Sequence, residues 1–363
     1  MASIEPAPII DALRNVQDPD LNRDIVSLGF VHDLAIEGND VRFRLVLTTP
    51  ACPMKRQFVE QCEAEIRKAL PSVGRVDIDL DSQVQASGSS PERENLLPQA
   101  HNIIAVASGK GGVGKSTVAC NLAASLAARG ARVGLLDADI YGPSMGIMLG
   151  VDAMEPQPEE EAVRPARAHG FHVMSLGFLL DPGTPVIWRG PMVMKALEQL
   201  MGDVDWPELD YMVVDLPPGT GDAQLTLSQK VPLSGAVIVT TPNEVALIDA
   251  RKGLEMFRKV DVPLFGLVEN MAFFACPHCG KETDLFPRGG GKRLAEQEGV
   301  PYLGEIPMDV AIRASGDEGT PVVLGSPGSP AALAFERLAE RTAQQASIAA
   351  HTPKDSPPGG SGR

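Results

Sequence analysis

The chain has 363 residues, of which 44% are hydrophobic, 22% charged and only 4% aromatic, and its formal net charge is −15. Length and composition suit two or three globular domains packed on Leu, Val, Ile, Ala and Met. The acidic balance without a Lys/Arg run argues against nucleic acid as a partner, and no apolar stretch approaches the ~18 residues that cross a bilayer, which argues against a membrane.

Residues 1–81 predict a small α+β domain: a helix over 9–16, strands over 30–36 and 41–48, a helix over 54–70 and a strand over 75–80. Alternation carries the strand reading, with Val41, Phe43, Leu45 and Leu47 on one face. The first twenty residues hold no basic stretch followed by an apolar core, so no secretory leader is expected. A cytoplasmic location follows as an expectation, with the five Cys as thiols. Residues 82–99, rich in Ser, Gln, Gly and Pro, predict a linker, and 348–363 predict a disordered tail.

Residues 100–347 alternate short apolar runs with helical patterns. Strands are expected at 103–107, 133–137, 171–176, 211–215, 236–240, 264–269 and 302–306. Their runs are continuously apolar, as when helices cover both faces of a parallel sheet. The expected fold is α/β, a P-loop NTPase with a mostly parallel sheet flanked by helices, preceded by the small α+β domain. Its site should lie at the C-terminal ends of the strands. Residues 151–168 read as an acidic loop. The Met-rich helix over 192–201 reads as core or dimer surface, with no chemistry assigned.

Within that domain, 103–117 give a strand, a glycine turn and a helix start. Gly109, Gly114, Lys115 and Ser116 fit G-x-x-x-x-G-K-[ST]. Residues Gly109, Lys110, Gly111, Gly112, Val113, Gly114, Lys115, Ser116 and Thr117 form the candidate nucleotide loop. Its glycines let backbone N–H groups converge on phosphate, and the following helix adds its positive end. Lys115 would reach the outer phosphates of ATP, and Ser116 Oγ would join a Mg2+ shell. Two strands then end in acids. Asp137 and Asp139 close the run over 133–139, and Asp215 ends an apolar strand as a Walker-B acid does. Asp215 and Asp137 are read as magnesium residues and Asp139 as the carboxylate that orients the attacking water, with Lys115 and Lys110 beside it in the catalytic set.

GKGGVGKS at 109–116 resembles the deviant P-loop ATPases of the nitrogenase-iron-protein and MinD type. The resemblance implies that Lys110 reaches the nucleotide of a partner subunit in an ATP-sandwich dimer. It also implies that Asn270, after the strand over 264–269, contacts the adenine.

Cys276 and Cys279 form a C-x-x-C. Two thiolates are half of what zinc or a 4Fe–4S cluster takes, and a two-fold dimer would double them. The spacing leaves both metals open. The wider pattern is more specific. LLDADIYGPS (135–144), VIWRGPM (186–192), VVDLPPGTGD (213–222), TTPNEVALIDARKG (240–253), ENMAFFACPHCG (269–280) and GEIPMD (304–309) resemble the Mrp/ApbC family of iron–sulfur cluster carriers. That resemblance implies ATP hydrolysis, a homodimer, a labile 4Fe–4S cluster bridged by Cys276 and Cys279, and transfer to apo iron–sulfur client proteins. DPDLNRDIVSLGFV (18–31) and TTPACP (48–53) resemble the SufT-like domain of iron–sulfur assembly factors. There Cys52 matches a reactive thiol, and the nearby helix end is expected to lower its pKa. Two other readings compete: a P-loop ATPase with structural zinc at a dimer seam, and a MinD/ParA-like positioning ATPase.

Overall fold

The computed structural model describes residues 4–86, 96–140, 142–151, 163–178, 190–276 and 278–352. They fall into two compact units, one built on Met1–Gln85 and the other on Ala86–Ala349.

In the first unit α1 (Pro6–Leu13) starts earlier than the sequence suggested, because Pro6 stands in its first turn, where a missing N–H costs nothing. A two-residue ladder, Gln17–Asp18 with Arg23–Asp24, follows. β1 (Val31–Glu37) pairs antiparallel with β2 (Asp40–Leu47), and α2 (Lys55–Ala69) crosses over to bring β3 (Val76–Ser82) parallel to β2. The alternating face of β2 is buried as its pattern requires, with Val41, Phe43, Leu45 and Leu47 against Ile9, Leu13, Phe58, Cys62 and Ile66.

The second unit is an eight-stranded sheet with helices packed against it. Its strands are β4 (Ala100–Ser108), β5 (Val133–Asp137), β6 (Ala166–Ala168), β7 (Phe171–Ser175), β8 (Leu209–Asp215), β9 (Gly235–Thr240) and β10 (Leu264–Glu269), with Tyr302–Glu305 at one edge. The order across the sheet is Tyr302–Glu305, β10, β9, β4, β8, β5, β7, β6. All pairings are parallel except β6 with β7. The α/β class with a mostly parallel sheet is thus what the apolar runs implied. Burial explains their lack of alternation: every residue of β5, β8 and β9 is buried, so both faces need apolar side chains.

Part of the stretch read as an acidic loop is strand. β6 escapes a periodicity reading because three residues carry no period. Residues 152–162 of that loop lie outside the described residues, as do 87–95 of the expected linker, 179–189 of the VIWRGPM region, and 353–363 of the tail. The last helix runs Pro330–His351, so helix continues past position 348, where the tail was expected to begin. Among the described residues no helix is long and apolar enough to cross a membrane.

Candidate nucleotide site and cysteine hairpin

β4 ends at Ser108, and the chain turns directly into the glycine loop and then α3 (Lys115–Ala128). A Cβ on Gly109 would meet the Asp249 carbonyl oxygen at 2.1 Å, so only glycine fits against α4 (Glu244–Lys259) there. Gly112 and Gly114 take φ of 80° and 81°, the left-handed region. Ser108 Oγ donates to the Lys110 carbonyl at 2.9 Å, and the Gly219 N–H donates to the Ser108 carbonyl at 2.9 Å. α3 begins without a side-chain cap, so its first N–H groups can serve an anion, in the field of the helix's positive end. Gly111 and Gly112 are exposed. Ser116, Thr117 and Lys110 are half-buried, and Lys110 makes no ion pair among the described residues.

The buried Lys115 ammonium lies 2.6 Å from Asp215 Oδ1 and 3.5 Å from Asp139 Oδ2. β8 and β5 are paired so that Asp215 stands opposite Asp137. Two carboxylates therefore share one lysine, and a third, Asp137, stands beside them. Burial and the nearby Asp215 push the Asp137 carboxyl up to about 7 from its ordinary 3.8. Burial also raises Asp215, with Lys115 opposing it. Asp215 Oδ2 is buried with no hydrogen-bond partner. An orphaned carboxylate oxygen beside Ser116, in a site with excess negative charge, fits a hard divalent cation such as Mg2+.

Asp137 Oδ1 accepts the Asp139 N–H at 3.2 Å, and Oδ2 accepts the Ser144 N–H and the Ser175 hydroxyl, both at 3.1 Å. With both oxygens engaged, Asp137 anchors the turn after β5. Asn270 is likewise committed. Its Nδ2 donates to the Val113 carbonyl at 2.8 Å and its Oδ1 accepts the Met271 N–H at 3.0 Å, so it props the phosphate loop. A Cβ on Gly114 would strike that Nδ2 at 2.2 Å.

Beyond β10 the chain runs beside 306–308, with the Ala272 N–H on the Ile306 carbonyl and the Met308 N–H on the Phe273 carbonyl. It then forms a short antiparallel hairpin, β11 (Phe274–Ala275) with β12 (Glu282–Thr283). The two candidate ligands sit in its turn, Cys276 half-buried and Cys279 exposed. The Gly280 N–H closes the turn on the Cys276 carbonyl at 2.9 Å. The His278 and Cys279 N–H groups and the Cys279 thiol, all directed at the Cys276 sulfur, hold its pKa below the ordinary value. The structure thus brings the two sulfurs together. Among the described residues no group of three or more His, Cys, Asp or Glu is placed to hold a metal.

Cys52 behaves otherwise. It lies in the turn before α2, and burial raises its pKa, with Asp18 and Asp20 adding to the effect. The Met54 N–H pulls the other way and is outweighed, so the expected lowering is reversed. Cys62 and Cys120 are core residues, and burial pushes the Cys62 thiol up to about 12.

Sequence reasoning missed two residues around the hairpin. Buried Glu269, at the end of β10, accepts the Gly289 N–H at 3.2 Å and the Gly291 N–H, where α5 (Gly290–Glu298) starts. Arg288 pairs with Glu282 at 2.6 Å and with Glu305, and its guanidinium lies 4.2 Å from the centre of the Phe273 ring. The signal was the run Arg288-Gly-Gly-Gly291, a cation before a glycine-rich helix start.

A phosphate-binding turn at the C-terminal edge of a doubly wound sheet, with lysine and strand-end acids converging on it, makes this a P-loop NTPase. Comparison with known proteins is more specific. The family model described as NUBPL iron-transfer P-loop NTPase matches residues 99–343, and the chain belongs to that family. A second model, iron-sulfur cluster assembly protein, matches residues 6–78. The chain is 48% identical over 347 residues to the iron-sulfur cluster carrier protein of Synechocystis sp., covering 94% of this chain and 98% of that one. Among solved structures it is similar to a nucleotide-binding protein of Archaeoglobus fulgidus in complex with ADP. That match has TM-score 0.55 and 40% identity, and covers 61% of this chain and 87% of that one. The MinD cell division ATPase of Pyrococcus furiosus matches with TM-score 0.50 and 28% identity over 66% of this chain and 97% of that one.

Proposed function

We propose that this protein is a cytoplasmic, ATP-hydrolysing carrier of iron–sulfur clusters that works as a homodimer. The cargo is a labile 4Fe–4S cluster held by Cys276 and Cys279 of two copies and passed to apo-proteins. The observation that carries the reading is the hairpin itself. Two adjacent sulfurs, one with its thiolate favoured, sit on a family member of iron-transfer P-loop NTPases, and one chain provides only half of a four-thiolate set.

The nucleotide half follows from the loop. A triphosphate docks on the N–H groups of 109–117, and Lys115 turns from Asp215 and Asp139 toward the outer phosphates. Asp139, released from that pair, is free to orient a water. Ser116 Oγ and Asp215 would hold Mg2+, which would supply neutralising charge for the outer phosphate oxygens. Lys110 on the loop's lip serves the partner's nucleotide, which places hydrolysis and dimer closure under one control.

Anaerobic reconstitution followed by transfer to an apo-4Fe–4S enzyme tests this. Activation of the acceptor, faster with MgATP than without, supports a carrier. Zinc in place of iron and sulfide in protein purified without oxygen, with no acceptor activation, would favour structural zinc and end the carrier reading.

A further inference from the structure

The phosphate loop and the cysteine hairpin belong to different strand ends, with β9 between β4 and β10. A continuous path nevertheless joins them, made of side-chain hydrogen bonds and ion pairs linked by residues adjacent in the chain. Val113 of the loop is held by Asn270 at 2.8 Å. Asn270 follows Glu269 directly, and Glu269 is fully buried with its carboxylate on the Gly289 and Gly291 N–H groups. Those amides flank the start of α5, so the position of β10's end fixes the position of Arg288. The Arg288 fork then spans two elements. One side takes Glu305 at the sheet edge, where Glu305 stands opposite Glu269 in register; the other takes Glu282 on β12. The guanidinium also covers Phe273, the residue before β11.

We infer that Arg288 is the positioning residue that couples the nucleotide loop to the cysteine hairpin, through Asn270 and Glu269 on one side and Glu282 on the other. This rests on the nucleotide and thiol sites proposed above and adds how one is read by the other. Arg288 touches neither site, so it acts by holding the hairpin in a register set from β10. A planar two-sided cation does this where lysine, a point charge, would not. A displaced Val113 peptide shifts Asn270, and the shift arrives at the cysteines as a change in the Arg288–Glu282 contact. Contiguity alone does not prove coupling; a response lost on cutting one link does.

The test is hydrogen exchange of the full-length, cluster-free chain with and without MgADP, which requires neither hydrolysis nor cargo. Protection of the peptide over 109–117 reports nucleotide binding. Exchange over 274–283 reports the hairpin. The expected hairpin response to MgADP in the unaltered protein is about fivefold or more, the lower end of ordinary site-to-site couplings. Glu282→Ala, which cuts only the hairpin leg and keeps the Glu305 pair and the Phe273 contact, should abolish that response while loop protection persists. Arg288→Ala should do the same, and Glu282→Ala stands alone if Arg288→Ala does not fold. A hairpin that responds equally in Glu282→Ala, or does not respond in the unaltered protein while the loop is protected, overturns the inference. Absence of loop protection would instead refute the nucleotide reading beneath it.

Discussion

The phosphate loop and the cysteine hairpin lie at the same edge of one sheet, yet they are finished to different degrees. In the loop every element is fixed within the chain: Gly109 against Asp249, Val113 against Asn270, and Lys115 between two carboxylates. The hairpin has a closed backbone turn but only two sulfurs, one of them exposed. In the proposed carrier a single chain therefore recognises the nucleotide, whereas the cargo takes its remaining ligands from a second copy, with assembly at the hairpin and hydrolysis at the loop.

That contrast can be broken most sharply at the thiols. Cys276→Ser with Cys279→Ser should remove all cluster iron after anaerobic reconstitution while leaving ATP hydrolysis intact, checked by iron and sulfide counts beside phosphate release. The opposite variant, Lys115→Ala, should lower hydrolysis on the order of 10²-fold or more, because the charge that meets the outer phosphates is gone. Its hairpin should still take up a cluster. If either variant disables both sites in a folded protein, the two regions are not separable as described.

The carboxylate cluster sharpens the comparison through pH. Asp137 has a folded-state pKa of about 7 against an ordinary 3.8. Its stabilising contribution is fully present below ~4 and lost as pH rises through ~7, since the unfolded chain gives up the proton more readily. Denaturant titrations without magnesium should show stability falling across that window, and Asp137→Asn should flatten the fall. Binding of MgATP should strengthen with pH over the same interval, since a doubly charged cation favours the ionised carboxylates. An unchanged profile in Asp137→Asn would remove this carboxylate from the account.

Smaller effects are expected at the supports. Asn270→Ala should cost about 1–3 kcal/mol, the penalty for leaving the buried Val113 carbonyl without its donor, read as a lower denaturation midpoint and weaker nucleotide binding. Smallest of all, Cys52→Ser should leave both cluster loading and hydrolysis unchanged. At neutral pH iodoacetamide should label Cys276 and Cys279 before Cys52, since burial raises one thiol and N–H groups lower the other. Faster labelling of Cys52 would reverse the ranking of the two thiol regions.

Much of this was legible in the residues. A glycine loop between a buried strand and a helix has few other uses, and β5, β8 and β9 announce burial by unbroken apolar runs. The C-x-x-C spacing was equally visible. What pattern reading could not supply was partner choice. Nothing in the pattern says that Ser175 joins the turn after β5 on the Asp137 carboxylate, or that Asn270 faces Val113, because those contacts join residues far apart in the chain. The Cys52 pKa was misjudged for a related reason: the helix end was visible in the sequence, but the burial that outweighs it was not. Arg288 and Glu269 act only through tertiary neighbours, so their types and positions gave little sign of their roles.

The most direct test of the central claim is the mass in solution of the anaerobically reconstituted protein, measured together with its iron and sulfide. Two chains carrying one cubane, and separation into single chains when Cys276 and Cys279 are replaced by serine and iron is lost, is the predicted result. A single chain that carries the complete cluster would contradict it.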